Sequence, residues 1–332
     1  MDQELSDDRI ETLAEGFELR NRSLNRSAVT IRWHSDNLRD FNGFLRSNEH
    51  SLRVHDITQK VIRAYIVHLQ TKRRYDGHPL TPIQEQRLSP QTVRARVETL
   101  KVFFSWLFEE GYTENNVMKK VESPKVPRKL HTILTKEEVQ LAISSLDRRT
   151  PLGCRDSTIL MLFLDTGARC KELSDLKLSD VHINQGYLKV MGKGSRERTL
   201  PVGTMMIRAL IEYLRACRPA SSSENVFLTE TGDPMTVGGI QLMIKRLGRR
   251  CGVPRLHAHL CRHTFATNYL MNGGDIFTLQ QILGHSSLEM VRRYVTLASE
   301  FVIGQHHRFS PLDTMHPRIT KRGLKRLPSR SS

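Results

Sequence analysis

The chain has 332 residues, and 51 Lys and Arg residues against 35 Asp and Glu residues give it a formal net charge of +16. This length allows two domains of ordinary size, and the positive charge favours a polyanionic partner, either nucleic acid or an acidic membrane surface. Residues 1–18 are polar and no run of about 18 apolar residues occurs, so we expect a cytoplasmic protein with no signal peptide and no membrane-spanning helix. The five cysteines form no C-x-x-C pair, which is typical of a reducing compartment.

Apolar residues recur at helical spacing over residues 9–119, and no strand-like alternation interrupts them. Ser89 followed by Pro90 is typical of a helix start, because Ser caps free N–H groups and Pro in the first turn needs no donor. We predict four long helices, which lie near residues 5–20, 27–47, 58–74 and 89–110. We expect a loop over residues 75–87 and a short fifth helix at 114–119.

Two prolines and four basic residues within 121–131 predict an extended, positively charged connector. Beyond it, strand-like runs at 186–190 and 198–200 flank Gly192 and Gly194, which are typical of a tight β-turn. The sequence therefore predicts a mainly α protein with a small β-hairpin in its C-terminal half. Its parts are a helical domain, a linker, a mixed α+β domain and a flexible basic tail, at residues 1–121, 122–132, 133–310 and 311–332.

Arg169 is the first candidate for a phosphate-binding residue. Gly167 is expected to end one helix, so Arg169 stands at the start of the next, where its guanidinium and free helix N–H groups can meet one anion. Glu172, three residues later, can orient Arg169 or face solvent. An ordinary solvated arginine fits the same local pattern and is the commoner case.

His259 and Arg262 are three residues apart, so on a helix they share a face and can bind one phosphate together. His259 with His263 also has metal-ligand spacing, and His257 lies close by. The segment has no H-E-x-x-H pattern, no supporting carboxylate and no Cys cluster, so we expect an anion site without a metal. His263 is expected to be a hydrogen-bonded interior residue.

Lys193 and His285 are further candidates with weak local signals. Lys193 is predicted at the tip of the hairpin, where its ammonium can reach a phosphate, although a solvated turn is the usual meaning of a Gly-Lys-Gly sequence. His285 follows Gly284 and precedes Ser286, which with Glu289 forms a capping-box pattern. A histidine at such a helix entrance can bond an anion, but a simple turn histidine is more common.

Tyr294 is the candidate nucleophile, because its neighbours Arg292 and Arg293 favour the phenolate. It also falls on a helical stripe of apolar residues, as a packing tyrosine would. Nine residues separate it from His285, and a straight helix would put the two on opposite sides. A shared pocket therefore requires a kink or a second short helix, and we expect the segment after Ser286 to be mobile.

Five segments in order, TGARCKEL, GKGSRERTLP, HAHLCRHTFAT, LGHSS and RRY, resemble the motif series of the tyrosine recombinase and phage integrase family. The resemblance implies that Arg169 and Arg262 clamp the scissile phosphate and that Tyr294 attacks the phosphorus to form a 3′-phosphotyrosine. Lys193 would protonate the leaving 5′ oxygen. Rejoining would occur by attack of another 5′ hydroxyl, so the resemblance implies no metal and no cofactor.

The same resemblance implies that His259 is a general acid or base and that His285 bonds a non-bridging phosphate oxygen, with Glu172 in support. The first half resembles the family's helical, SAM-like core-binding domain, and the two halves together would clamp double-stranded DNA. The residues expected to contact DNA are Lys125, Arg128, Lys129, Arg292 and Arg293. The expected assembly is a homo-tetramer on paired DNA sites and a monomer or dimer otherwise. It is expected to associate with the nucleoid, with accessory DNA-bending proteins as possible partners.

Residues 305–312 resemble the end of integrases from mobile elements, which favours integration and excision over Xer-type resolution of chromosome or plasmid dimers. A regulator that binds DNA without catalysis is an alternative of another class. A strand-passing topoisomerase with the same tyrosine chemistry is a further alternative. All six candidate catalytic residues are present, which argues against the regulator, and the likeness of the first half to core-binding domains argues against the topoisomerase.

Overall fold

The computed structural model describes residues 8–76, 81–127, 132–192, 197–285, 287–295, 306 and 310–312. The chain divides into two compact units, Met1–Lys129 and Leu130–Ser332. This division falls within the predicted linker, whose exact limits stay a prediction. In the described part of the chain, no helix is both long enough and apolar enough to cross a membrane.

Among its described residues, the first unit contains four α-helices: α1 (Ile10–Ser23), α2 (Ala28–Ser47), α3 (Gln59–Thr71) and α4 (Pro90–Glu109). The side chains of Ser27, Thr58 and Ser89 accept hydrogen bonds from backbone N–H groups in the first turns of α2, α3 and α4. Aromatic side chains from all four helices, including Phe17, Phe41, Tyr65 and Phe103, form its core. The four predicted helices are therefore confirmed.

The sequence prediction of the first unit was wrong in three details. α1 begins at Ile10 rather than residue 5, because Arg9 is extended and pairs with Arg53 in an antiparallel bridge. The predicted loop at 75–87 contains a strand, β2 (Gln84–Arg87), which pairs antiparallel with β1 (Arg73–Arg74). Every residue of β1 and β2 is exposed, so no apolar alternation could have indicated them. The short fifth helix is a 3-10 turn at Val117–Lys120.

The second unit has eight helices and a three-stranded sheet among its described residues. The helices are α5 (Lys136–Ser144), α6 (Pro151–Thr166), α7 (Cys170–Asp175), α8 (Thr204–Glu212), α9 (Val237–Arg250), α10 (Ala258–Met271), α11 (Ile276–Leu283) and α12 (Glu289–Val295). The strands are β3 (Val181–His182), β4 (Tyr187–Met191) and β5 (Glu197–Pro201), antiparallel in the order β3-β4-β5. The predicted fold class, mainly helical with a small sheet in the C-terminal half, is confirmed.

The core of the second unit forms around α6, whose Ile159, Leu160 and Phe163 are fully buried. In the sheet, Leu188 pairs with Leu200 and Val190 pairs with Arg198, so these four side chains share one face. A separate apolar cluster joins α10, α11 and α12. Arg169 follows α6, Arg262 lies on α10, which packs against α6, and His285 follows α11, which packs against β5.

Candidate functional site

Arg169 lies in the turn between α6 and α7. α6 ends at Gly167 with φ +61°, and a Cβ there would lie 2.5 Å from Cδ1 of Phe265, so only glycine fits this turn. Arg169 caps α7 and is anchored to Glu172, because its Nη1 donates to Oε1 at 2.9 Å and its backbone N–H donates to Oε2 at 2.7 Å. Its side chain keeps 34% of its surface exposed, which leaves the cation accessible to a ligand.

Glu172 is buried and accepts hydrogen bonds from Arg169, so it does not face solvent. A second arginine, Arg198, holds the same carboxylate: its Nη2 donates to Oε2 at 2.6 Å and its Nε donates to Oε1 at 3.1 Å. Burial raises the pKa of Glu172, but the hydrogen bonds and charge of Arg198, with the bonds from Arg169, bring it below its usual value. Glu172 is therefore a carboxylate at neutral pH.

Arg198 was not among the predicted site residues. It lies on β5 at an inward position, two residues before buried Leu200 and opposite buried Val190. Period-2 alternation through the predicted strand would have placed a cation on an apolar face, and a cation there requires a partner. The sequence therefore carried a signal for a buried cation at this position, but it did not indicate that the partner is Glu172.

Arg262 is buried on α10 and joins three separate segments. It donates hydrogen bonds to the carbonyl oxygens of Gly167 at 2.5 Å and Leu283 at 2.7 Å, and it lies 2.9 Å from Nε2 of His285. Burial, with repulsion from Arg169 and Arg198, lowers the pKa of Arg262 to about 10. The guanidinium is therefore still charged at neutral pH, although it is only 3% exposed.

His285 and Tyr294 come together because they do not share a helix. α11 ends at Gly284 with φ +59°, and His285 lies in the turn before the short helix α12, which carries Tyr294. Their rings stack at 6.3 Å with an interplanar angle of 10°. The second short helix required by the nine-residue spacing is thus present, while the predicted cap, Ser286, lies outside the described residues.

Tyr294 is buried in the apolar cluster of α10–α12, with only 2% of its surface exposed. Its ring also contacts His263 at 5.3 Å, and His263 contacts His259 at 4.3 Å. Tyr294 therefore packs in the core, and its ring lies beside His263 and His285, while its role as a nucleophile stays a prediction. His263 is buried, which confirms its predicted interior position.

A cavity of about 660 Å³ brings the candidate cations together. Arg169, Arg262 and exposed His259 line it, and sequence reasoning did not predict that Lys245 and Arg255 line it as well. The remaining lining residues are Ala168, Cys170, Gln241, Pro254, Leu256, His257 and Ala258. Such a concentration of positive charge in a concave site is suited to an anion. Among the described residues, no group of three or more His, Cys, Asp or Glu side chains is placed to hold a metal ion.

The other predicted residues lie elsewhere or cannot be placed. Lys193, Arg128 and Lys129 fall outside the described residues, as does the side chain of Arg293. Lys125 is exposed in the first unit, beside Arg63 and Lys120 in a second cavity of about 490 Å³. Arg292 is exposed on α12 and pairs with Glu289 at 3.2 Å.

Comparison with known proteins shows sequence relatives along most of the chain. Residues 132–300 match the phage integrase family, and residues 13–123 match the phage integrase SAM-like domain. Tyrosine recombinase XerC from Oceanobacillus iheyensis is 31% identical over 298 residues, which cover 88% of this chain and 92% of the relative. Tyrosine recombinase XerD from Listeria innocua is 31% identical over 229 residues, 67% of this chain and 77% of the relative.

Solved structures share the fold at lower sequence identity. The Tn1549 transposon integrase in complex with transposon right end DNA is 17% identical, with a TM-score of 0.73 over 91% of this chain and 99% of that chain. A lambda integrase dimer bound to a COC′ core site is 19% identical, with a TM-score of 0.66 over 86% of this chain and 94% of that chain. With its ordered motifs, its fold and these relatives, the chain belongs to the phage integrase family of tyrosine recombinases, enzymes that break and rejoin DNA at specific sites.

Proposed function

We propose that the cavity lined by Arg169 and Arg262 binds the scissile phosphate of the DNA. The observation that carries this proposal is the convergence of two arginines from distant segments, with His259, on one accessible cavity. A guanidinium matches the oxygens of a phosphate through paired hydrogen bonds, and burial strengthens such bonds. In this proposal His285, which lies 2.9 Å from Arg262, bonds another phosphate oxygen.

Tyr294 is the nucleophile in this proposal. Its oxygen attacks the phosphorus, the bond from phosphorus to the 5′ oxygen breaks, and a 3′-phosphotyrosine remains. His259 accepts the proton of the tyrosine, and Lys193 donates a proton to the departing 5′ oxygen. Attack by a different 5′ hydroxyl reverses the steps and rejoins the strand, so no bond energy is lost to water.

The buried position of Tyr294 adds a condition to this chemistry. Tyr294 does not line the cavity, and its side chain is 2% exposed, so α12 must move before its oxygen reaches a phosphate held there. The proposal therefore includes a movement of the segment after Ser286, in agreement with the mobility expected from the sequence.

The assembly follows from the need to exchange strands between two DNA sites. We propose that double-stranded DNA lies in contact with both units, with Lys125, Arg128, Lys129, Arg292 and Arg293 contacting phosphates. Four copies act on paired sites, in the cytoplasm and in association with the nucleoid, with accessory DNA-bending proteins as partners. The solved lambda integrase tetramer bound to a Holliday junction supports the tetramer by its shared fold.

Two biological roles fit this chemistry. The resemblance of residues 305–312 to the end of integrases from mobile elements supports integration and excision of a mobile element. The name of the curated relatives, XerC and XerD, supports Xer-type resolution of chromosome or plasmid dimers. Repeats resembling attachment sites on both sides of the gene would decide for the mobile element, and an isolated gene would decide for the resolvase.

The proposed chemistry is tested with a DNA site that the protein itself selects from a random duplex library. A nicked suicide duplex of that site should trap a covalent adduct with the wild-type protein, visible by denaturing electrophoresis, and Tyr294→Phe should form none. Tyr269→Phe is the matched control, because Tyr269 packs against the same apolar cluster and should leave the adduct yield unchanged. An equal adduct yield in Tyr294→Phe would refute the assignment, and binding without any adduct in the wild type would favour the regulator.

A further inference from the structure

The carboxylate of Glu172 is shared between two arginines. Oε1 accepts from Arg169 Nη1 at 2.9 Å and from Arg198 Nε at 3.1 Å. Oε2 accepts from the Arg169 backbone N–H at 2.7 Å and from Arg198 Nη2 at 2.6 Å. Because Arg198 is only 9% exposed and Arg169 is 34% exposed, one cation is enclosed while the other faces the cavity. The enclosed arginine therefore fixes the carboxylate to which the accessible one is bound.

Arg198 also fills the space beside the turn that follows α11. A Cβ built on Gly284 would lie 2.8 Å from Cδ of Arg198, and the carbonyl oxygen of Gly284 lies 3.4 Å from Nη2 of Arg169. This turn continues into His285 and then α12. One side chain on β5 thus contacts the Arg169 anchor and the turn before the nucleophile.

We propose that Arg198 is a positioning residue for the phosphate site, acting through Glu172 on Arg169. It touches neither the cavity nor the proposed reacting atoms, and its effect reaches the DNA through the orientation of the Arg169 guanidinium. This inference rests on the proposed function of Arg169. A lysine at this position has a single ammonium nitrogen in place of Nε and Nη2, so it does not reproduce the two parallel bonds to the carboxylate.

A second buried pair in the same unit provides a matched control. Arg155 donates to Asp156 Oδ1 through Nε at 2.9 Å and Nη2 at 2.8 Å, and its Nη1 donates to the carbonyl oxygen of Leu228 at 3.0 Å. Arg155 and Asp156 are 10% and 13% exposed, and neither lines the cavity. Arg155→Met therefore removes a buried arginine–carboxylate pair with two side-chain hydrogen bonds, both to one oxygen, without touching Glu172.

The test measures how strongly the protein prefers a charged scissile phosphate. Two duplexes of the selected site are compared by fluorescence anisotropy, one normal and one with an uncharged methylphosphonate at the scissile position. All variants are made in a Tyr294→Phe background, so that binding is measured without cleavage. We expect the parent to bind the normal duplex about tenfold more tightly, because the arginines bond a charged group.

Arg198→Met should reduce this preference to less than about twofold, because an Arg169 side chain that is not held in one orientation contributes little to phosphate binding. Arg198→Lys keeps the buried charge, and its preference should lie between that of the parent and that of Arg198→Met. If Arg198→Met does not fold, the Lys variant alone tests the proposal. Arg155→Met should keep the parental preference, even where thermal unfolding shows a loss of stability.

The possible failures are distinguishable. A parental preference retained in both Arg198 variants overturns the role of Arg198 and leaves the phosphate clamp intact. A parent that binds both duplexes equally overturns the clamp, and the role of Arg198 with it. An equal loss of preference in Arg155→Met and Arg198→Met assigns the effect to general stability and also overturns the proposal.

Discussion

Two buried arginine–carboxylate pairs in the second unit, Arg198 with Glu172 and Arg155 with Asp156, have similar burial but opposite effects on acidity. Burial raises the pKa of Asp156, and the charge and bonds of Arg155 do not restore it to its usual value. Burial acts on Glu172 in the same direction, yet the pKa of Glu172 is lowered. The difference lies in the donors, because Glu172 also receives the side chain and backbone N–H of Arg169.

This difference separates a pair that packs the interior from one that supports a site. Asp156 accepts side-chain hydrogen bonds from one arginine, Arg155, so the cost of desolvation exceeds the gain from pairing. Glu172 balances two arginines, and the second of them, Arg169, keeps part of its surface exposed at the cavity. The number of donors per carboxylate therefore distinguishes the two regions better than burial does.

Removal of the carboxylate charge should give the largest contrast. Glu172→Gln leaves buried Arg198 without its counter-charge and should lower the free energy of unfolding by about 3–5 kcal/mol, with loss of DNA cleavage. Asp156→Asn keeps the one oxygen, Oδ1, that accepts both bonds from Arg155, so it should cost less, about 1–3 kcal/mol, and leave the cleavage rate of the folded protein unchanged. Urea denaturation and the suicide-duplex assay measure the two effects. If both variants lose the same amount of stability and of cleavage activity, the two pairs do not differ in function.

Substitution of the glycine beside Arg198 should have a smaller effect. Gly284→Ala strains a left-handed residue by about 1–2 kcal/mol and places a Cβ against Arg198, so cleavage should also slow. Gly186→Ala is the matched control, because Gly186 has φ +73° and nothing within 4 Å of its Cβ position. It should lose similar stability and keep the cleavage rate. If both variants cleave DNA at the wild-type rate, the contact between Arg198 and this turn does not affect cleavage.

The dependence of stability on pH should show the smallest effect, with opposite signs for the two carboxylates. The lowered pKa of Glu172 contributes stability above its ordinary value of 4.5, and this is lost as pH falls through the folded-state pKa. The raised pKa of Asp156 contributes stability below its ordinary value of 3.8, and this is lost as pH rises through the folded-state pKa. On acidification, Glu172→Gln should therefore lose less stability than the wild type, and Asp156→Asn should lose more. Thermal unfolding of the two variants and the wild type, measured as the pH is lowered, checks both expectations. If both variants deviate from the wild type in the same direction, the assignment is contradicted.

Much of the fold was predictable because its signals are local. The capping residues Ser27 and Ser89 mark two helix starts, and apolar spacing marks the buried faces of the same helices. β1 and β2 were missed because all their residues are exposed, so no side of the hairpin carries an apolar pattern. Local signals therefore specified elements with a buried face and failed for elements without one.

For the candidate site, the sequence predicted which residues belong to it but not how they are arranged. The ordered motifs indicated Arg169, Arg262 and Tyr294 as candidates, while each residue alone fitted an ordinary surface or packing role. Spacing along an assumed straight helix separated His285 from Tyr294, and the turn at Gly284 brings their rings into contact. Arg198 was missed because its meaning depends on a carboxylate 26 residues away.

By itself, the sequence determined the two-part helical organisation, the positions of most helices and the family, since caps, periodicity and motif order are all read along the chain. Only the tertiary structure decided which arginine faces the cavity and which is enclosed. Arg169 meets the carbonyl of Gly284 across 115 residues, and Arg262 meets that of Gly167 across 95. Contacts over such separations depend on how helices and strands pack, because packing sets the direction and burial of each side chain, and neither is fixed by local spacing.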